Sequence, residues 1–212
     1  MKLRFLSLLL AQIAAAACSL GQGEGEVHSD RLVAHGCWDR AYEMKPDFFA
    51  AAPYRSTLQI KLQRGTDLQE VSDGLAVLVD DVDEIRSKHL GERLDVALPP
   101  GVSPPGSPIV PPITRAPIVH VALYLQESCH NQNTVLYAIS GSVTFSSLFS
   151  GDPNERETAE KYTDAHFDIM AGDLHDVPTG QPAYAIPLEL QTQLTGYFRF
   201  YFERGQPGQP FP

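Results

Sequence analysis

The chain has 212 residues, a formal net charge of −10 at pH 7 and a hydrophobic content of 43%. The acidic balance argues against a nucleic-acid partner, because a protein that binds phosphates needs a basic patch. The length is enough for one well-filled core or two small ones. The composition excludes a collagen, a coiled coil and a disordered chain.

The N-terminal segment has the layout of a signal peptide. Lys2 and Arg4 form a short positive region, residues 5–13 form an apolar core, and small residues lead up to Cys18. A membrane-spanning helix needs about 20 apolar residues, and this run is shorter. We therefore predict that residues 1–17 are cleaved and that the protein is exported.

The segment Ala15-Ala16-Ala17-Cys18 resembles the lipobox of bacterial lipoproteins, although Ala15 stands where that family mostly carries leucine. The resemblance implies that Cys18 carries a lipid and becomes the new N-terminus. It also implies that Ser19, behind the cysteine, directs the protein to the outer membrane. Ala15 and Ala17 equally suit the ordinary signal peptidase, so a periplasmic or secreted protein is the alternative.

Cysteine parity favours the lipid-anchored form. The 3 cysteines are Cys18, Cys37 and Cys129, and an oxidising compartment disfavours a leftover thiol. Lipidation of Cys18 leaves an even pair, which we predict to be a disulfide between Cys37 and Cys129. The lone Trp38, beside Cys37, is expected to pack in the core against this bridge.

Apolar patterns predict a mainly β fold. Residues 58–63 and 119–126 alternate apolar with polar side chains, which is typical of antiparallel strands with one wet face. Residues 75–79 are apolar throughout and fit the middle of a sheet. Residues 135–145 and 196–202 share a Gly-x-hydrophobe-x-Phe pattern, which makes them candidate neighbours, and the longer of the two is expected to bend at its glycine.

Two short helices have cap residues in front of them. Asp81 precedes a predicted helix at residues 82–90, and Asp152 precedes another at residues 153–161. Together with 16 glycines and 17 prolines between short strands, these patterns predict an antiparallel β-sandwich with two short helices. The residues expected in its core include Phe145, Phe198, Phe200, Leu123, Val121 and Ile60.

Eight prolines lie within residues 99–117. Such a stretch does not pair in a sheet and tends towards polyproline II. It fits a linker between two domains, a ligand for a proline-reading partner, or a long surface loop. We favour the loop, inside a single β-rich domain at residues 27–212 that follows a flexible tether at residues 18–26.

One group of residues has the side-chain types that bind metals. His166 and Asp168 share the outer face of a predicted strand, and Asp173, His175 and Asp176 follow on the next turn. Their spacing matches no zinc or calcium motif, so solvated polar side chains are the simpler interpretation and we predict no metal. The alternative is an exported metal-dependent hydrolase that uses His166, Asp168 and His175.

The chain contains no nucleophile elbow, P-loop or dinucleotide fingerprint, so we predict no catalytic residue and no cofactor.

Tyr197, Arg199 and Tyr201 form the polar face of the last predicted strand. A stripe of tyrosine and arginine is typical of a binding surface, and an ordinary wet sheet face is the alternative. The C-terminal end, Arg204-Gly-Gln-Pro207-Gly-Gln-Pro-Phe211-Pro212, follows this strand. It resembles the tails of uncharacterised bacterial lipoproteins with small β-rich domains.

These patterns together predict a non-enzymatic binding or assembly module of the cell envelope. An N-terminal lipid would hold it on a membrane, and its loops and faces would contact an envelope protein or a glycan.

The lipobox predicts the mass of the mature protein. Cleavage before Cys18 should leave a cysteine that carries several acyl chains, since one chain binds a membrane only marginally. Intact-mass spectrometry of the membrane fraction measures this, with Cys18→Ala as the control that is released from the membrane. An unmodified N-terminus at Cys18 or Ser19 in the wild-type protein would contradict the prediction.

Overall fold

The computed structural model describes residues 23–65, 72–106, 119–130 and 132–204, and antiparallel strands dominate them. The strands in this part of the chain are β1 (Gly23–Ala34), β2 (Trp38–Met44), β3 (Phe48–Tyr54), β4 (Thr57–Gln63), β5 (Asp73–Val79), β6 (Leu94–Asp95), β7 (Val119–Leu125), β8 (Val135–Ser147), β9 (Tyr162–Asp173) and β10 (Thr192–Tyr201). They form one sheet in the order β2-β1-β10-β9-β8-β7-β5-β4-β3, and β6 pairs with β8 beside this path. The predicted mainly antiparallel β class is confirmed.

The sheet curls into a half-barrel because its two edge strands are consecutive in the chain. β2 and β3 stand at opposite ends of the strand order, yet only residues 45–47 join them. The ring of Phe49 in β3 therefore stacks on Phe200 in β10, with centroids 5.8 Å apart. Arg64 also donates a hydrogen bond to the Glu43 carbonyl at 2.8 Å. The predicted division into the two sheets of a sandwich is not confirmed, since one continuous sheet wraps around the core.

Large apolar side chains fill the inside of the curl and form the main core. All the residues expected there are at most 1% exposed, namely Phe145, Phe198, Phe200, Leu123, Val121 and Ile60. Phe145 of β8 and Phe198 of β10 meet edge-on, with centroids 6.4 Å apart. Removing this apolar surface from water is the dominant favourable contribution to folding.

The two strands that share the Gly-x-hydrophobe-x-Phe pattern are not neighbours, because β9 lies between them. Gly141 of β8 faces Ile169 of β9, and Gly196 of β10 faces Phe167 of the same strand. The bend expected in β8 is confirmed, since the pairing register shifts just before Gly141, whose φ is +103°. The pattern thus marks the two strands that flank β9 on either side.

The tether predicted at residues 18–26 is wrong for residues 23–26, which begin β1 and pair with β10. The glycines in this segment have a packing role. A β-carbon at Gly23 would lie 2.7 Å from both Phe49 and Phe200, and one at Gly25 would lie 2.9 Å from the Tyr197 carbonyl. Glycine is therefore needed where the strand crosses the crowded junction between β3 and β10. Residues 18–22 lie outside the described residues.

The first predicted helix is confirmed and the second is wrong. Asp81 accepts a hydrogen bond from the Glu84 amide at 2.9 Å and caps α1 (Val82–Glu84), which continues as a π-helical turn at Ile85–His89. In the second segment the Glu155 carboxylate accepts the amides of residues 156 and 157. These local bonds compete with helix formation, so only a 3₁₀ turn at Ala159–Lys161 is formed.

The outward side of the sheet is also buried on β7 and at the end of β4, so the wet face predicted for β7 is wrong and the one predicted for β4 is limited to its start, where Gln59 is half-buried. Lys61 of β4 and Tyr124 of β7 are both buried, and the Lys61 ammonium lies 4.9 Å from the Tyr124 ring centroid. Burial lowers the pKa of Lys61 to about 8. Gly74 of β5 faces Tyr124 across the ladder, and a β-carbon there would overlap the phenol ring.

A buried carboxylate ties the edge strand β2 and the interior strand β5 to the loop that follows β7. Asp73, at the start of β5, is fully buried. Its side chain accepts hydrogen bonds from the Tyr42 hydroxyl of β2 at 3.1 Å and from the amides of Glu127 and Ser128 at 3.0 Å each. The Ser128 hydroxyl donates a further hydrogen bond. Burial, and then the charge of Asp73, raise the pKa of Tyr42.

Replacement of Asp73 should therefore lower the free energy of unfolding. Asp73→Ala leaves buried donors unsatisfied and should cost about 3 kcal/mol or more. Asp73→Asn keeps one oxygen for the two amides, and its NH₂ group can donate to the hydroxyls, so it should cost about 1–2 kcal/mol. Urea denaturation of the oxidised protein measures both, with the exposed Asp95→Ala as the control. An alanine variant as stable as that control would show that the Asp73 hydrogen bonds do not hold β2 to β5 and to the loop after β7.

Candidate functional site

Two groups of residues singled out in the sequence lie on one surface, the outward side of β1, β10 and β9. Tyr197, Arg199 and Tyr201 project from β10, and His166 and Asp168 project on the same side from the adjacent β9. We call this surface the tyrosine face. It is defined by the side chains of Glu24, Glu26, Tyr162, Asp164, His166, Asp168, Tyr197, Arg199 and Tyr201.

The side chains of the tyrosine face form rows across the three strands, because directly paired residues lie side by side. The rows are Glu26–Tyr197–His166, Glu24–Arg199–Asp164 and Tyr201–Tyr162. Arg199 forms a hydrogen-bonded ion pair with Glu24, so its positive charge is already engaged within the face. The pairing register creates these rows, and the amino-acid sequence alone does not predict this register.

The tyrosines are the accessible apolar part of the face. Tyr197 is 38% exposed and Tyr201 is 40% exposed. The rings of Tyr201 and Tyr162 pack against each other, with centroids 4.8 Å apart and an interplanar angle of 38°. Burial, and then the negative charge of Asp164, raise the pKa of Tyr162. A partner would thus meet aromatic rings bordered by carboxylates.

The face ends in a groove where β1 separates from β10. The two strands pair as far as His28 and Thr195, and a bulge follows in β1. Pairing is replaced further on by a hydrogen bond from the Val33 amide to the Thr192 hydroxyl at 2.9 Å. The opening has a volume of about 310 Å³, and its lining includes His28, Asp30, Arg31, Met170 and Gln193.

Arg31, on the wall of this groove, is already paired. Its guanidinium donates two hydrogen bonds to the Asp39 carboxylate, at 2.7 and 3.1 Å. The pairing raises the pKa of Arg31 and lowers that of Asp39 through the same hydrogen bond. Among the described residues that line it, the groove therefore presents no unengaged guanidinium, and its exposed Asp30 carboxylate continues the acidic character of the tyrosine face.

The metal-type cluster is not brought together. His166 and Asp168 lie on the tyrosine face, and Asp168 accepts a hydrogen bond from Gln193 at 2.9 Å. His175 lies beyond the end of β9, about 20 Å along the strand from His166, and its ring bonds to Asp173 at 2.7 Å. Among the described residues, no three His, Cys, Asp or Glu side chains are placed to hold a metal ion.

The Cys37–Cys129 disulfide is formed, with a Cα–Cα distance of 5.7 Å. It joins the turn between β1 and β2 to the loop after β7, beside the Asp73 network. Trp38 is only partly buried, with the Arg40 guanidinium 4.1 Å from its ring centroid and Tyr42 packed edge-on. The predicted lipidation site Cys18 and most of the proline-rich segment at 99–117 lie outside the described residues.

Three residues with defined roles escape the sequence analysis. Tyr162 joins the tyrosine face only through its pairing with Tyr201. Asp73 precedes the apolar residues of β5, where an aspartate is usually part of a solvated turn. His120 looks like a solvated strand residue in the alternating pattern. It is buried, with ring nitrogens 2.8 Å from the Ala97 carbonyl and 3.1 Å from an Asp80 carboxylate oxygen. The pattern that gives the strand contains no signal for these contacts.

Comparisons with models of known protein families, with curated proteins and with solved structures gave no match. Within the part of the chain that the structure describes, no helix has the length and hydrophobicity to cross a membrane.

Proposed function

We propose that this protein is a non-enzymatic binding module of the cell envelope that contacts a protein partner through the tyrosine face. The observation that carries the proposal is the grouping of three tyrosines and an arginine on one side of the paired strands β10 and β9. Tyrosine and arginine are enriched at interface cores because they combine a large contact area with hydrogen-bonding groups. Among the described residues, the other tyrosines with strongly exposed side chains, Tyr54 and Tyr184, lie outside this face.

The rigidity of the supporting strands favours recognition. β10 pairs with β9 along its whole length and with β1 from Thr195 to Phe200, and β9 pairs in turn with β8. On the inner side these strands are fixed by the buried phenylalanines of the core. Side chains on such a support lose less conformational freedom on binding than side chains on a loop, which improves affinity.

The disulfide and the position of β1 support a place in the envelope. Disulfides persist in oxidising compartments outside the cytoplasm. If Cys18 carries the lipid, the residues between it and Gly23 span at most about 18 Å when extended. Gly23 pairs with Phe200, next to Tyr201. The anchored protein would then hold one end of the tyrosine face close to the membrane surface, where a membrane-associated protein can reach it.

A photocrosslinking residue in place of Tyr197 or Tyr201 tests the proposal in intact cells. We expect p-benzoylphenylalanine at either position to form a covalent adduct with an envelope protein. The matched control is the same residue in place of Tyr54, which is exposed on the hairpin between β3 and β4. Mass spectrometry of the adduct shows whether the crosslinked partner is a protein or a glycan.

Adducts at Tyr54 alone, or none at any of the three positions, would refute the tyrosine face as the contact surface. Adducts at Tyr197 and Tyr201 that contain only glycan would keep the binding module and replace its proposed partner class.

A further inference from the structure

We propose that the partner segment bound by the tyrosine face is basic, a stretch rich in lysine or arginine. This inference rests on the proposed function, because it names the partner of the same face. It follows from the balance of charges on the face and from the position of the tyrosines relative to them.

The outward positions of β1, β10 and β9 carry an excess of negative charge. Within the tyrosine face the acidic side chains are Glu24, Glu26, Asp164 and Asp168, and Arg199 is the one guanidinium among the residues that define the face. Arg199 is bound to Glu24. Among the described residues, the carboxylates of Glu26, Asp164 and Asp168 make no ion pair with a lysine or arginine. The face thus offers three carboxylates to a partner cation.

Each aromatic group has a carboxylate at a neighbouring position. Tyr197 lies beside Glu26 across the β1–β10 ladder. The Tyr162–Tyr201 pair lies beside Asp164, which is two residues along β9 on the same side. A lysine or arginine side chain gains a cation–π contact over a tyrosine ring, and an adjacent carboxylate adds a charge-assisted hydrogen bond. This combination favours a cation over a neutral or acidic group.

The shape of the surface agrees with long basic side chains. The groove at the end of the face has a volume of about 310 Å³, and its lining includes Asp30, Gln193 and Arg31, whose guanidinium is bound to Asp39. Lysine and arginine bury an aliphatic stem while the charged head reaches a polar group. A second copy of this chain is disfavoured, because it would place two acidic faces against each other.

A designed peptide tests this inference directly on the purified, oxidised protein without its predicted signal peptide. The probe is a fluorescein-labelled decapeptide of alternating lysine and glycine, and the matched peptide has glutamate in place of lysine. Fluorescence anisotropy should show binding of the lysine peptide that weakens as NaCl rises, and no binding of the glutamate peptide. Failure of the lysine peptide to bind, or binding of both peptides alike, would overturn the inference.

A charge-neutral triple variant locates the binding. E26Q/D164N/D168N keeps the shape of each side chain, and these exposed or half-exposed positions are not part of the core. It should weaken the lysine peptide about tenfold. The control triple D83N/D95N/E157Q removes the same charge from exposed positions elsewhere and should stay within about twofold. Equal weakening by the two triples would show that only net charge matters and would overturn the inference.

The two proposals fail in different ways. If Tyr197 crosslinks to an envelope protein but the lysine peptide does not bind the face, the binding module stands and the basic partner is wrong. If the lysine peptide binds the face while crosslinking captures only Tyr54, the proposed function is wrong. Analytical ultracentrifugation under the same conditions distinguishes a self-associating face, and a dimer broken by Y197A/Y201A would overturn the basic partner in favour of a second copy.

Discussion

The hydrogen bonds of the Asp73 carboxylate hold together parts of the chain that only the curled sheet brings close. Tyr42 lies in the edge strand β2, Asp73 starts the interior strand β5, and Ser128 lies in the loop after β7. A fully buried carboxylate is costly unless its oxygens are satisfied. The sheet must therefore curl far enough for Tyr42 to reach Asp73, and the Cys37–Cys129 disulfide secures the same end of the molecule. The direction of the curl decides which strand faces stay in contact with water.

The consequence for function is a division of the outward side of the sheet. On β5, on β7 and at the end of β4 most outward positions are buried, and small residues, Tyr124 or the packed Lys61 replace the expected solvated face. On β1, β10 and β9 the outward positions of the tyrosine face remain accessible, although the inward sides of these strands pack into the core, where Phe198 and Phe200 of β10 are among the largest buried side chains. A firm core beneath an exposed row of tyrosines and carboxylates is the arrangement on which both proposals depend. The glycines at positions 23 and 25 let β1 join this surface, where the sequence alone indicates a tether.

Local patterns predict the elements of this fold, and long-range packing decides the rest. Period-two alternation gives β4 and β7, and the cap at Asp81 gives α1, because both signals lie within a few residues of chain. The same alternation predicts water on the outward side of β4, where Lys61 is buried, since the cover of a strand comes from distant residues. A sandwich and a curled sheet share their strand patterns, so composition could not separate them. The face is likewise only half visible in the sequence: Tyr197, Arg199 and Tyr201 lie in one strand, whereas their carboxylate neighbours come from β1 and β9 through pairing.

The most direct test of the account is the reactivity of the tyrosines in intact cells, where the proposed partner is present. Hydroxyl-radical footprinting, read by mass spectrometry, compares intact cells with the purified protein. The account predicts that Tyr197 and Tyr201 are protected in cells by a bound partner, whereas Tyr54 and Tyr184, which are exposed elsewhere, react equally in both samples. Equal reactivity of all four tyrosines in cells and in solution would contradict an occupied tyrosine face.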